Sequence, residues 1–150
     1  MPGMTIDESA RRLGEVVWTE RRLFELVGQW VTTTPPTDLK LVFARQSRLH
    51  GEHAVALAAL LPETRDHDPG VLVAPGAGAG AGVALDELSG TGPTQRVPAL
   101  TEALRAHLAV LEAYLGDASP VRDGPGIRMV GAVLAQDRAD LGELEAFAPR

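Results

Sequence analysis

The sequence predicts an all-α protein, an antiparallel four-helix bundle wired as two helical hairpins joined by a long crossover. Three observations carry that expectation. Of its 150 residues 45% are hydrophobic, yet only 4% are aromatic and the apolar stock is mostly Leu, Val and Ala. That balance suits helices and lacks the β-branched and aromatic weight of a sandwich or barrel. Four stretches repeat apolar residues at the helical period, and the breaks between them run short, long, short. The length fits one domain, residues 1–150, with enough apolar material for a sizeable core.

The first helix, about 7–33, opens at a Thr5/Asp7 capping region and stops at "TTTPP", where the prolines forbid continuation. The second, about 38–61, starts at Thr37 or Asp38 and reaches Pro62. The short link between them implies an antiparallel hairpin. The third, about 98–115, follows Pro98, which suits a first turn, and ends at Gly116. The fourth, about 126–147, begins after "DGPG", and the turn-rich "GDASPVRDGPG" makes a second hairpin. Between the hairpins lies the crossover, about 63–97, where "VALDELSG" offers a helical turn. Its "GAGAGAG" is not a phosphate-cradling loop, because no predicted strand precedes it and the dinucleotide fingerprint needs a strand, a turn and a helix. A Gly/Ala connector is the reading that composition supports.

Composition narrows the function. The formal net charge is -6 with no Lys/Arg-rich run, which argues against a nucleic-acid partner. The absence of Cys removes disulfides, thiolate catalysis and Cys-ligated zinc or iron-sulfur sites. No apolar leader and no run of about 18 apolar residues is visible, so a cytoplasmic, non-membrane protein is expected.

The chemistry lies where the helical stripes are interrupted. The first stripe runs Leu13, Val16/Val17, Leu23/Phe24, Val27, Trp30/Val31, with Glu20 in its middle. The second runs Leu39, Val42, Leu49, Leu57, Leu60, with Gln46 and His53 in its gaps and His50 on its flank. The third, Leu100 to Leu115, is an unbroken Leu seam edged by His107 and Glu112. The fourth runs Ile127, Val130, Leu134, Leu141, Leu144, with Asp137 in its gap and Asp140 at its border. Arg21, Arg22, Arg45 and Arg48 fall on outward faces, and the two Trp read as core or interface filler.

A buried carboxylate costs several kcal/mol without a cation, a proton or strong donors. Two histidines three residues apart can aim two ring nitrogens at one point. Glu20, His50, His53 and Asp137 therefore form a candidate ligand shell for Fe(II), Mn(II) or Zn(II), with Gln46, His107, Glu112 and Asp140 as possible additions. Two other readings stand beside it: mutually neutralised buried ion pairs with no metal, and a polar pocket for a small molecule.

"ERRLFELVGQWV", "RQSRLHGEHA" and "ASPVRDGPGIRMVGAVLAQD", about half the chain, resemble the ferritin-like superfamily, particularly small actinobacterial ferritin-like proteins. The resemblance implies a Glu on each of two helices and Glu-x-x-His on each of the others. Glu20 matches the lone first-helix carboxylate. His50 and His53 stand where the second-helix pair would be, with His for Glu. Asp137 and Asp140 stand in the fourth-helix pair, with Asp for both. The third helix has no central Glu, only His107 or Glu112 at its edges. Those departures favour a mononuclear site, or the relic of one, over a di-iron centre. The resemblance further implies iron or manganese, oxidase- or oxygenase-like chemistry on a small substrate, or else a non-catalytic ligand-binding, partner or scaffold protein. A homodimer is expected of so short a bundle.

Overall fold

The computed structural model describes residues 3–76 and 85–148, and among these its regular structure is helical, with no β-strand. Four long helices dominate: α1 (Ile6–Val31), α2 (Thr37–Ala58), α4 (Arg96–Asp117) and α5 (Gly124–Glu145). A short turn of helix, α3 (Pro69–Leu72), precedes α4, as do two 3-10 turns, Leu88–Gly90 and Pro93–Gln95. Each long helix departs from its sequence-predicted bounds by no more than a few residues. The second falls shortest, since Ala58 ends the regular helix and Leu60 and Leu61 close in tighter turns. None of the described helices is long and apolar enough to cross a membrane.

Local chemistry sets the ends. The Thr5 hydroxyl accepts from the Glu8 amide at 3.1 Å, satisfying one orphan donor of α1. Pro35 and Pro36 terminate the first hairpin arm, and Asp38 places a carboxylate in the first turn of α2, where the helix dipole favours it. Pro125 occupies the first turn of α5, where its missing N–H costs nothing.

The helices meet pairwise in a closed order: α1 on α2, α2 on α5, α5 on α4 and α4 on α1. Their apolar faces form two separate clusters. One gathers around Val16, Val17, Leu57, Leu111, Val130 and Val133. The other gathers around Leu23, Trp30, Phe43, Leu100, Leu104 and Leu144. On every long helix the polar positions fall between these clusters: Glu20, then Gln46 to His53, then His107, then Asp137 and Asp140. A polar belt thus separates two oily layers. Phe24 departs from its assigned stripe, because at 46% exposure it lies on the outer surface while Leu23 fills the core.

The described part of the crossover is seated on the helices. His67 donates to Asp7 from Nε2 at 2.8 Å and accepts from Thr64 at Nδ1 at 2.9 Å, fastening the start of the crossover to the start of α1. Leu85 is buried in the second apolar cluster, and Arg22 pairs with Asp86. Of the "GAGAGAG" run, residues 77–82 lie outside the described part, as do 83 and 84 of "VALDELSG". The turn anticipated in that second stretch is present at its end, Leu88–Gly90. Before the run, Leu72 presses its backbone against Gly14, so closely that a Cβ built there would stand 2.0 Å from the Leu72 carbonyl oxygen.

Gly14→Ala is accordingly expected to destabilise the protein by about 1–3 kcal/mol, the usual cost of overpacking. The measurement is thermal unfolding with hydrogen exchange at residues 71–73. An unchanged melting temperature with unchanged protection would contradict the seating of α3 on α1.

Candidate metal centre

Four helices deliver the site because each carries one or two polar residues at the level where its apolar stripe is broken. Glu20 comes from α1, His50 and His53 from α2, His107 from α4 and Asp137 from α5. Glu20, His50 and Asp137 are fully buried, His107 almost so, and the His53 side chain retains 11% exposure.

Glu20 is the hub. Its Oε2 accepts from His50 Nδ1 at 2.7 Å and from His53 Nδ1 at 3.3 Å, while Oε1 accepts from His107 Nε2 at 2.8 Å. Because a carboxylate only accepts, each imidazole presents an N–H to it. Asp137 lies behind in the same sense. Its Oδ1 is 3.8 Å from His50 Nδ1 and 3.7 Å from His53 Nδ1, and its Oδ2 is 3.7 Å from His107 Nε2. Two carboxylates therefore stand between the α2 histidine pair on one side and the α4 histidine on the other.

Their electrostatics diverge. Burial pushes the Glu20 carboxyl up, but the His50 charge and the hydrogen bonds from His107, His50 and His53 outweigh it and hold Glu20 well below the usual carboxylate range. Asp137 gains no such donors. Burial first, then the negative charges of Glu20 and Asp140, push it up to about 10. Near neutral pH without a cation, Asp137 thus holds a proton. Neither of its oxygens accepts a hydrogen bond.

One ligating atom each from Glu20, His50, His53 and Asp137 lies within 4.8 Å of every other. Atoms sharing one ion at about 2.1 Å can stand at most about 4.2 Å apart. The separations of 2.7, 3.3, 3.7 and 3.8 Å already satisfy that limit, so a contraction of less than an ångström closes the shell. The donor set and the two partnerless oxygens of Asp137 fit a divalent transition metal.

The remaining candidates separate. His107, placed at a stripe edge by sequence, is inside the cluster and bound to Glu20. Its signal was present: it is the lone imidazole on an otherwise Leu-lined helix, at the level of Glu20. Glu112 is not brought in; it is about half exposed and pairs with Arg138 at 2.6 Å. Gln46 is buried but donates from Nε2 to the Asp140 backbone carbonyl at 3.1 Å. Asp140, also buried, accepts from Gln136 at 3.0 Å. These two lie beside the cluster, each with one partnerless oxygen. Arg45, assigned to an outward face, reaches Glu143 and stands 4.0 Å from Asp140. Sequence reasoning also passed over Arg96, which is buried, donates to Thr34 at 2.9 Å and lies over the Trp30 ring at 5.5 Å.

No model of a known protein family matches the chain, and no curated protein or solved structure matches it either.

The divergent carboxylates give a signed expectation. A group whose folded pKa is raised contributes stability that is complete below its unfolded value, near 3.9, and lost as pH climbs toward about 10. Metal-free Asp137→Asn should therefore melt above metal-free wild type, by a margin that widens from pH 5 to pH 9. A constant or reversed margin would mean that Asp137 is ionised in the folded protein. Glu20 acts oppositely, stabilising above its ordinary pKa and losing that contribution only in strong acid.

Proposed function

We propose that this chain is a ferritin-like four-helix bundle whose polar belt binds one divalent transition metal, iron or manganese, for oxidase- or oxygenase-like chemistry on a small substrate. The observation that carries the reading is the convergence of Glu20, His50, His53 and Asp137, from three helices, on one buried point where Asp137 has two partnerless oxygens. The closed order of helix contacts and the crossover between α2 and α4 support the bundle.

His50 and His53 would ligate through the Nδ1 atoms that now donate to Glu20, and the two carboxylates would complete the shell. Asp137 must give up its proton to join the shell, so loading favours higher pH. When bound, the metal supplies redox chemistry and Lewis acidity at a site with open positions. The chain's own contribution is distinct. Asp137 exchanges a proton for the cation, which cancels the repulsion between two buried carboxylates. His107 keeps a hydrogen bond on Glu20 Oε1 and fixes that carboxylate's orientation, as metal ligands are held by their outer partners. The apolar layers above and below exclude bulk water, and His53 is the cluster member that reaches the surface, which suits a small reactant.

A second reading rests on Glu20 itself. Three imidazole donors and a protonated Asp137 compensate the cluster without any metal, as in a non-catalytic ferritin-like protein that has lost its centre.

Elemental analysis of tag-free protein reconstituted with Fe(II) or Mn(II) separates the two. Near-stoichiometric metal in wild type, and little in His53→Ala of unchanged helix content, is the expected result. Absence of metal from both would overturn the metal reading in favour of the compensated cluster.

A further inference from the structure

The outer face of the α1–α2 hairpin carries an open groove of about 930 Å³, on the side of these helices away from the polar belt. Its floor is apolar, with Phe24 from α1 and Ala44, Gly51 and Val55 from α2. Val55 is 74% exposed, and Leu41, at 65%, continues the same helical stripe through positions 44, 48, 51 and 55. Single exposed apolar residues are ordinary, but several gathered in one groove mark a contact surface. Arg21, Glu25, Arg48 and Glu52 line the groove with them.

The charges are ordered. The Phe24 ring lies over Gly51, where a Cβ would come within 3.0 Å of it, so these two residues share one level of the antiparallel pair. At a rise of about 1.5 Å per residue, Arg21 then falls about 4.5 Å to one side of that level and Glu52 about 1.5 Å to the same side. Glu25 and Arg48 fall about 1.5 Å and about 4.5 Å to the other side. Along the groove the order is plus, minus, minus, plus.

We infer that the groove docks a second copy of this chain, face to face about a two-fold axis at the Phe24–Gly51 level. A two-fold contact must be self-complementary, so what counts is which charges the facing helices bring together. With the axis across the helices, Arg21 meets Glu25 of the second copy and Arg48 meets its Glu52. With the axis along them, Arg21 meets Glu52 and Arg48 meets Glu25. Either way each Arg stands about 3 Å in axial offset from a Glu and about 9 Å from the Arg that faces it, while each facing helix pair also holds one Glu–Glu pair about 3 Å apart, so attractive contacts outnumber repulsive ones about two to one at that offset. Arg21, in no ion pair among the described residues, gains a partner. The balance of two cations and two anions also selects the occupant. In a chain of net charge -6, a basic partner would be drawn to the acidic remainder of the surface, whereas this face is locally neutral.

The test is sedimentation equilibrium of the full chain from low to high micromolar concentration, with Val55→Arg and Arg21→Glu. Wild type should sediment at twice the 15.8 kDa chain mass, and both variants should fall twofold to the monomer with unchanged helical circular dichroism. Val55 is exposed enough that its substitution leaves the fold intact. A monomeric wild type at every concentration overturns the inference and leaves the groove to a different protein or an apolar ligand. A dimer that survives both substitutions overturns it too, since the contact then lies on another face.

Discussion

The structure is organised around one constraint: the Glu20 carboxylate is wholly inside the protein and must be compensated there. Two of its three donors come from α2 and one from α4, so satisfying it fixes α1 against both helices at once. Slipping α1 by one turn would carry Glu20 about 5.4 Å, out of reach of every donor. Apolar layers alone tolerate such slips more readily, since hydrophobic contact is not directional. Buried ion pairs add little net stability, because desolvation offsets their attraction. The two oily layers supply the driving force, and the belt between them selects the register.

That belt is asymmetric in a way that matters for chemistry. Two carboxylates share one small volume, and the helices give one of them all the donors. Glu20 receives three imidazole N–H groups, while Asp137 receives none and keeps a proton instead. Pairs of titratable groups driven apart by their surroundings are typical of functional sites. Here the protonated member is also the one whose oxygens point at the histidines from 3.7 to 3.8 Å, a distance too long for hydrogen bonding. The gap is of the size that a shared cation spans.

Much of this was legible in the sequence because period and interruption are both local signals. The apolar rows of α1, α2 and α5 place Glu20, His53 and Asp137 on inward faces by counting alone, and Pro35, Pro36 and Pro125 mark the breaks. The sequence is ambiguous where a residue sits at a stripe edge, since its angle from the centre does not say how closely a neighbour approaches. His107 and Glu112 illustrate this, five residues apart on α4 and both at an edge. One is drawn in by Glu20 and the other is drawn out by Arg138, and neither partner can be read from the α4 sequence. His50 falls on the flank of its stripe, yet its ring makes the shorter of the two α2 contacts to Glu20. Phe24 fails oppositely: adjacent to Leu23 in an apolar pair, only one of the two can face inward.

The inner site and the outer groove belong to one close contact between α1 and α2. Small residues line it. A Cβ on Gly28 would come within 3.0 Å of the Ser47 hydroxyl, and Gly51 meets the Phe24 ring as closely. Ser47 in turn donates to the Phe24 backbone carbonyl at 2.8 Å, tying the helices on the outer side. That proximity is what lets Glu20, with only two methylenes, reach His50 and His53 on the inner side. Gly51 is flanked in sequence by His50 and, two residues on, by His53, so the residue that makes room for Phe24 outside sits between the two that face Glu20 inside. A load on the outer face bears on the spacing of α1 and α2, and the same spacing sets the distance between a carboxylate and its imidazoles.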